Sequence, residues 1–220
     1  MRWYSGSRHK FGIRGSLTLS FRKEKKIRVT VNEFFKLQSL LQQKGMKALF
    51  KPRVISSIYL DTVDMNMFHD SEEGVLPRKK VRIRWYNEDK KFTLENKTSS
   101  IEGRFKVTSK LDSSLLDNEI KIKHRMDSQY GLIQPILKVS YERSYFMLNN
   151  MRITFDKNIT YEYLRTANNR KYFEPERVVE IKIPISCSDD FVEKHIPYPT
   201  ARFSKYSRGL LLSLGDLCEV

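Results

Sequence analysis

Lys80-Val81-Arg82-Ile83-Arg84-Trp85 alternates a cation with an apolar side chain at every step, with Lys79 before it and Tyr86 after it. In a β-strand successive side chains point to opposite faces, so this run puts Lys80, Arg82 and Arg84 on one side and Val81, Ile83 and Trp85 on the other. The pattern recurs along the chain. One face reads Arg22-x-Glu24-x-Lys26-x-Arg28, then Thr93-x-Glu95-x-Lys97, Arg152-x-Thr154-x-Asp156 and Glu180-x-Lys182. The opposite faces carry Phe92 and Leu94, Ile153 and Phe155, and Val179, Ile181 and Ile183. A single strand of this kind is a solvated surface strand. Five of them, four with strongly apolar opposite faces, need a cover, and a closed antiparallel barrel supplies it in two ways. Either the charges face out and the apolar sides fill the barrel, or helices cover an apolar exterior and the charges line a lumen. Like charges ~7 Å apart repel by about 2–3 kcal/mol at an effective dielectric near 20, so a lumen of cations needs interspersed carboxylates or a bound polyanion. Glu24, Glu95, Asp156 and Glu180 are placed to compensate. Pattern alone leaves both packings open.

Strand-like segments are read at 17–31, 56–60, 79–86, 91–97, 103–109, 136–146, 151–160 and 177–185. Helices are expected at 33–44, with Asn32 as the N-cap and Gly45 as the stop, from Asp61-Thr62 to Phe68, near 189–195 and near 205–214. Residues 112–131 are mixed and are expected to include helix. Strands dominate and helices are inserted between groups of them, so the class is α+β with a largely antiparallel sheet or barrel. Along 136–146, Tyr141 and Arg143 share a face with Leu137 and Val139, not with Lys138 and Ser140; a bulge in that strand would bring Arg143 to the charged side.

The composition agrees with one large domain. Of 220 residues 40% are hydrophobic and 12% aromatic, enough for a sizeable core and against global disorder. Forty-one Lys and Arg face 26 Asp and Glu, a net charge of +15, which points to a polyanionic partner. The basic faces lack interleaved aromatics and no helix looks like a recognition helix, which argues against nucleic acid. Cys187 and Cys218 are far apart and outside any CxxC or Cys/His cluster, so free thiols in a reducing compartment are expected, with no structural zinc site. His9, His69, His124 and His195 lie outside the charged strands. No apolar run approaches the ~18 residues of a membrane span. Residues 1–16, basic and rich in Gly and Ser without an apolar core, are expected to be a flexible tail ahead of a domain at 17–220, and a cytoplasmic location is expected.

In this order and spacing, Arg22-x-Glu24-x-Lys26, Ser57-Ile58-Tyr59-Leu60-Asp61-Thr62, Lys80-Val81-Arg82-Ile83-Arg84-Trp85-Tyr86 and Glu95-x-Lys97 resemble the VTC (vacuolar transporter chaperone) polyphosphate polymerase domain. So do Gln134-Pro135, Tyr141-x-Arg143, Arg152-x-Thr154-x-Asp156, Glu180-x-Lys182 and Phe203-Ser204-Lys205-Tyr206. That domain is one of the triphosphate tunnel metalloenzymes. The resemblance spans roughly residues 17–209 and implies an eight-stranded antiparallel β-barrel tunnel with a charged lumen, covered by helices. It implies transfer of the terminal phosphoryl group of ATP to a growing polyphosphate chain, with a divalent metal, manganese first and magnesium as the alternative. ATP, polyphosphate, pyrophosphate or triphosphate are the implied ligands. By matching position, Arg82 and Arg84 are phosphate ligands, with Lys26, Lys97, Lys106 and Arg143 as further basic wall residues. Glu180 is the implied metal ligand, and Lys205 matches the lysine of the Phe-Ser-Lys segment.

The same faces add Arg22, Lys80, Arg152 and Lys182 as substrate-binding candidates, and Glu24, Glu95 and Asp156 as supporting carboxylates. That makes eleven cations against four carboxylates at positions expected in the lumen. Where hydrolases and cyclases of the superfamily begin with ExExK, this chain has Arg22 in place of the first carboxylate. The exchange favours holding a polyanion over positioning a hydrolytic water. A tunnel-fold triphosphatase and a non-catalytic polyphosphate-binding module remain as alternative readings.

Overall fold

The computed structural model describes residues 22–89, 91–111, 124–165, 170–188 and 190–215, and the backbone of 16–19, 116–117 and 121–122. The chain runs β1 (Ser16–Leu19), β2 (Arg22–Val29), α1 (Val31–Gln43), β3 (Lys47–Asp61), α2 (Asn66–Glu73), β4 (Arg78–Tyr86), β5 (Thr93–Ser100) and β6 (Gly103–Lys110). Three short strands follow, β7 (Leu116–Asp117), β8 (Lys121–Ile122) and β9 (Arg125–Asp127). Then come β10 (Gly131–Leu148), β11 (Met151–Tyr163), β12 (Lys171–Phe173), β13 (Arg177–Pro184), α3 (Phe191–His195) and α4 (Lys205–Leu214).

The main sheet is antiparallel, in the order β1-β6-β5-β4-β3-β10-β11-β13-β2. From β6 to β2 that is eight strands. The expected first strand, 17–31, is split: β1 pairs with β6 at one edge, and β2 pairs with β13 at the other. The sheet therefore curls into a half-barrel. Five strand spacings separate β4 from β2, about 24 Å if the sheet were flat. Yet Lys80 on β4 donates to Ser204 Oγ at 2.9 Å, and Lys26 on β2 donates to the neighbouring Phe203 carbonyl at 2.8 Å. Only curvature brings both amino groups to consecutive residues.

Each side of the sheet is packed differently. On the convex side Phe34, Leu37 and Leu41 of α1 cluster with Ile27, Ile153, Phe155, Val179 and Ile181, and Val192 of α3 joins them. Full burial of each such side chain stabilises by roughly 1.5–3 kcal/mol. A second convex cluster joins Ile58, Val81, Ile83, Trp85 and Leu94 with Met67 of α2. Tyr206 and Leu210 of α4 instead pack on the concave side, against Tyr59, Leu137, Val139, Tyr161 and Val178. Gly209 permits this approach, because a Cβ there would meet Tyr161 Cδ1 at 2.5 Å.

That packing settles the parity of β10. Leu137 and Val139 share a face with Arg143 because the concave side is apolar under α4 and charged beyond it. The irregularity lies in β11: Ser140 pairs with Thr160 and Glu142 with Lys157, so β11 spends the extra residue, and Asn158 there takes φ 52°. The bulge puts Ile159 and Tyr161 on the same side as Thr154 and Asp156.

Local departures from the sequence reading have local causes. Helix α1 is capped by Thr30, not Asn32: Glu33 N–H donates to Thr30 Oγ1 and the Glu33 carboxylate accepts from Thr30 N–H, a capping box. Strand β3 begins at Lys47, nine residues before the expected start, as an extension paired only with β10; Pro52 lies in this unpaired edge, where a missing donor costs little. Strand β10 likewise starts earlier, and β12 was not anticipated. Among the described residues of 112–131 there are short strands and a turn, and no helix. Asp61 and Thr62 do begin α2, although the helix proper starts at Asn66: the Asp61 carboxylate accepts from the N–H groups of Met67 and Phe68. The expected tail at 1–16 (Ser16 apart), His9 and Cys218 lie outside the described residues. Among those described, no helix is long and apolar enough to cross a membrane.

Candidate functional site

The concave side beyond α4 gathers most of the candidate residues, in two linked groups. In the first, Glu95 on β5 is buried at 4% exposure and receives Arg82 Nε at 2.7 Å, Lys106 Nζ at 2.6 Å and the Arg84 guanidinium at 3.7 Å. Burial pushes the Glu95 carboxyl up, but Arg82, Arg84 and Lys106 outweigh it and hold it well below the ordinary carboxylate range. Arg82 also donates to Tyr59 Oη at 3.0 Å, and Arg84 to Ser57 Oγ at 3.2 Å and Tyr141 Oη at 3.4 Å. Burial would raise the Tyr59 hydroxyl; Arg82 and Arg84 bring it below the usual tyrosine range instead.

In the second group Asp156 on β11 is wholly buried. It accepts both Arg143 Nε and Nη2, at 2.6 and 2.7 Å, and Lys205 Nζ at 2.5 Å. Glu180 lies 2.9 Å from Lys182 and 3.5 Å from Arg143; burial opposes its ionisation, but Arg143, Lys182 and Lys26 keep it well below the ordinary range. Glu24 meets Lys26 at 3.3 Å and Lys182 at 3.7 Å. Arg143, Arg152, Thr154, Glu180 and Lys182 line a small open cleft.

Three cations are left short of countercharge. Among the described residues Lys80 has only the Ser204 hydroxyl, and burial lowers its ammonium to about 8. Lys97 and Arg152 make no ion pair among the described residues. The repulsion of Arg82, then burial, then Arg84, bring Lys97 down to about 7. Its side chain is nevertheless exposed to solvent, so the repulsion from the two arginines is the cause that counts. Arg22 stands apart, exposed at the start of β2.

The tyrosines were the missed component. The charged faces do carry aromatics, but β3 and β10 supply them, strands whose own pattern is not cationic. Tyr141 lies under Arg143 at 5.2 Å and Lys205 at 4.5 Å, and Tyr59 under Arg82 at 5.8 Å. Buried as they are, these rings support cations and offer no stacking platform. The spacing Ser57-x-Tyr59 on one face was the available signal. The described histidines stay out of the group: His124 contacts Gln134 and His195 the Phe191 carbonyl.

Among the described residues no cluster of three His, Cys, Asp or Glu could hold a metal ion unaided. Of the concave carboxylates, Asp156 and Glu95 are saturated by short contacts, whereas Glu180 retains acceptor capacity beside the cleft. One carboxylate completed by phosphate oxygens is a donor set that suits magnesium or manganese.

The curled antiparallel sheet, with buried Arg–carboxylate networks on its concave side, is a tunnel-type fold. Within it this chain belongs to the VTC domain family, whose model matches residues 21–214. Similar solved structures share the fold. A proposed adenylate cyclase from Bacillus halodurans is 14% identical, with 84% of this chain and 96% of that one covered and a TM-score of 0.57. A proposed adenylyl cyclase from Hippeastrum with dominant triphosphatase activity is 16% identical, covering 89% and 96%, at a TM-score of 0.50. A conserved hypothetical protein from Pyrococcus furiosus is 15% identical, covering 84% and 98%, at 0.50. No curated protein matches the chain.

Proposed function

We propose that this domain is a polyphosphate polymerase, moving the terminal phosphoryl group of ATP to the end of a polyphosphate chain inside a charged tunnel. The observation that carries the reading is the convergence of Arg82, Arg84, Lys106, Arg143, Lys182 and Lys205 on three concave carboxylates, Glu95, Asp156 and Glu180, which leaves cations in excess there. An anion with several negative oxygens completes such a cluster; a solvated protein surface has no use for it.

Arg82, Arg84, Lys97 and Arg143 hold the triphosphate, the arginines through their planar forks. Lys26 and Lys205 stabilise charge around the transferred group. Lys80, Lys106, Arg152 and Lys182 carry the chain on either side, with Arg22 at the edge. Glu24, Glu95 and Asp156 fix these cations in place. A terminal oxygen of the polyphosphate attacks the γ-phosphorus of ATP, the bond from that phosphorus to the bridging β–γ oxygen breaks, and ADP leaves. The attacking oxygen is already ionised, so no general base is needed, and positioning with charge neutralisation does the work. Manganese or magnesium, held by Glu180 and phosphate oxygens, supplies further neutralisation when bound.

The test is incubation with ATP and manganese, with polyphosphate as the expected product. Orthophosphate and short products alone would identify a triphosphatase. Binding without turnover, unaffected by Glu180→Gln, would identify a binding module. Inorganic triphosphate is expected to raise the melting temperature, because it binds the folded state, and the double variant Arg82→Ala/Arg84→Ala to lose that rise.

A further inference from the structure

Arg53, in the edge extension of β3, is clamped by aromatic rings. Its guanidinium carbon lies 5.7 Å from the Phe50 centroid and 5.8 Å from those of Tyr86 and Tyr145. Strand register explains the assembly: Arg53 pairs with Arg143, Phe50 with Tyr145, and Ile55 beside them with Tyr86. Along β10 the order Leu137, Val139, Tyr141, Arg143, Tyr145 leads away from α4, so the clamp stands at the opposite end of the charged group. Phe50 is 52% exposed there. Tyr145 is shared, since Arg152 approaches the same ring at 6.0 Å while lining the cleft with Arg143 and Glu180.

Neither Arg53 nor Arg152 has a carboxylate partner among the described residues. A guanidinium has two π faces and five in-plane N–H donors. Three rings lie near Arg53 and no carboxylate does among the described residues, and the side chain is exposed, so its N–H donors are available to hold an oxyanion in a bidentate fork.

We propose that Arg53 and Arg152, either side of Tyr145, form an outer anion subsite for phosphates of a chain that extends past the Arg82–Arg84–Arg143 group. The subsite rests on the polyphosphate reading above and narrows it to ligands longer than a triphosphate, entering or leaving at the end away from α4.

Calorimetry with inorganic triphosphate and with long-chain inorganic polyphosphate tests it, on wild type, Arg53→Gln and Arg53→Lys. Arg53→Gln is expected to weaken long-chain binding about three- to tenfold, as for a rim charge, and to leave triphosphate affinity unchanged. Arg53→Lys keeps the charge without the fork and is expected to fall between; it also serves where Arg53→Gln does not fold. Wild type binding both ligands with neither affinity altered, or both lowered alike, would overturn the subsite and leave the polyphosphate reading standing. Wild type binding neither would overturn that reading as well.

Discussion

Replacing Asp156 by Asn tests the concave network where its energetics are steepest. The carboxylate is wholly buried and accepts three charge-assisted hydrogen bonds, two from Arg143 and one from Lys205, at 2.5–2.7 Å. Asn keeps the shape but cancels the charge, leaving two buried cations facing each other. Breaking a buried pair from one side costs about 3–5 kcal/mol. For a chain of this size each kcal/mol moves the melting temperature by roughly 2–4 °C, so Asp156→Asn is expected to melt about 6–20 °C lower. The cause also fixes the pH dependence. Burial would raise the Asp156 carboxyl, but Arg143 and Lys205 hold it below its ordinary value in the folded state. Its stabilisation is therefore complete above the unfolded value near 4 and lost as pH falls through the folded one, and the gap between wild type and variant shrinks in that range. Differential scanning calorimetry with and without inorganic triphosphate separates two roles for the cations. If they face the ligand, the anion replaces the missing carboxylate and stabilises the variant more than the wild type. A melting temperature within about 1 °C of wild type would refute the network. A large drop that triphosphate does not preferentially reverse would show cations with a structural role alone.

Lys97, brought to about 7 chiefly by Arg82, is largely neutral at pH 8; a bound polyphosphate favours its ammonium, so binding at that pH should take up about one proton and weaken between pH 7 and 9. Calorimetry in buffers of different ionisation heat reads this directly, and zero uptake or net release would contradict it. Without ligand the same group binds protons better in the unfolded chain, so its contribution to stability rises from pH 7 towards the unfolded lysine value. Gly209→Ala gains about 1 kcal/mol of helix propensity but sets a Cβ 2.5 Å from Tyr161, and overpacking of about 1–3 kcal/mol should prevail. A lower melting temperature is expected, and a rise would show that α4 is not pressed on the sheet. Thr30→Ala removes the α1 capping box and should cost about 1 kcal/mol, read as a shift of the denaturant midpoint with unchanged slope.

How far the site was legible follows from what a period of two can encode. Alternation tells which residues share a face, and it placed Arg82 with Arg84, Glu95 with Lys97, and Glu180 with Lys182 correctly. It does not tell what lies over that face. For Arg143 this mattered: Leu137 and Val139 beside it read as a buried side, and they are buried, but under α4 on the concave surface. Contacts across the hollow are invisible for a further reason. Lys26 and Lys80 meet consecutive residues because the sheet curls, and curvature arises from twist and bulges such as that at Asn158, which one strand's pattern does not contain. Tyr59 and Tyr141 stand in quoted motifs but received no role, and Arg53 was passed over, because β3 and β10 are not cationic strands; they enter the charged group only as neighbours in the sheet order. The resemblance to a known family supplied residues of the centre one position at a time. The outer arginine, which matches no quoted motif, became visible only when register set Arg53 near Tyr145, with no carboxylate partner among the described residues.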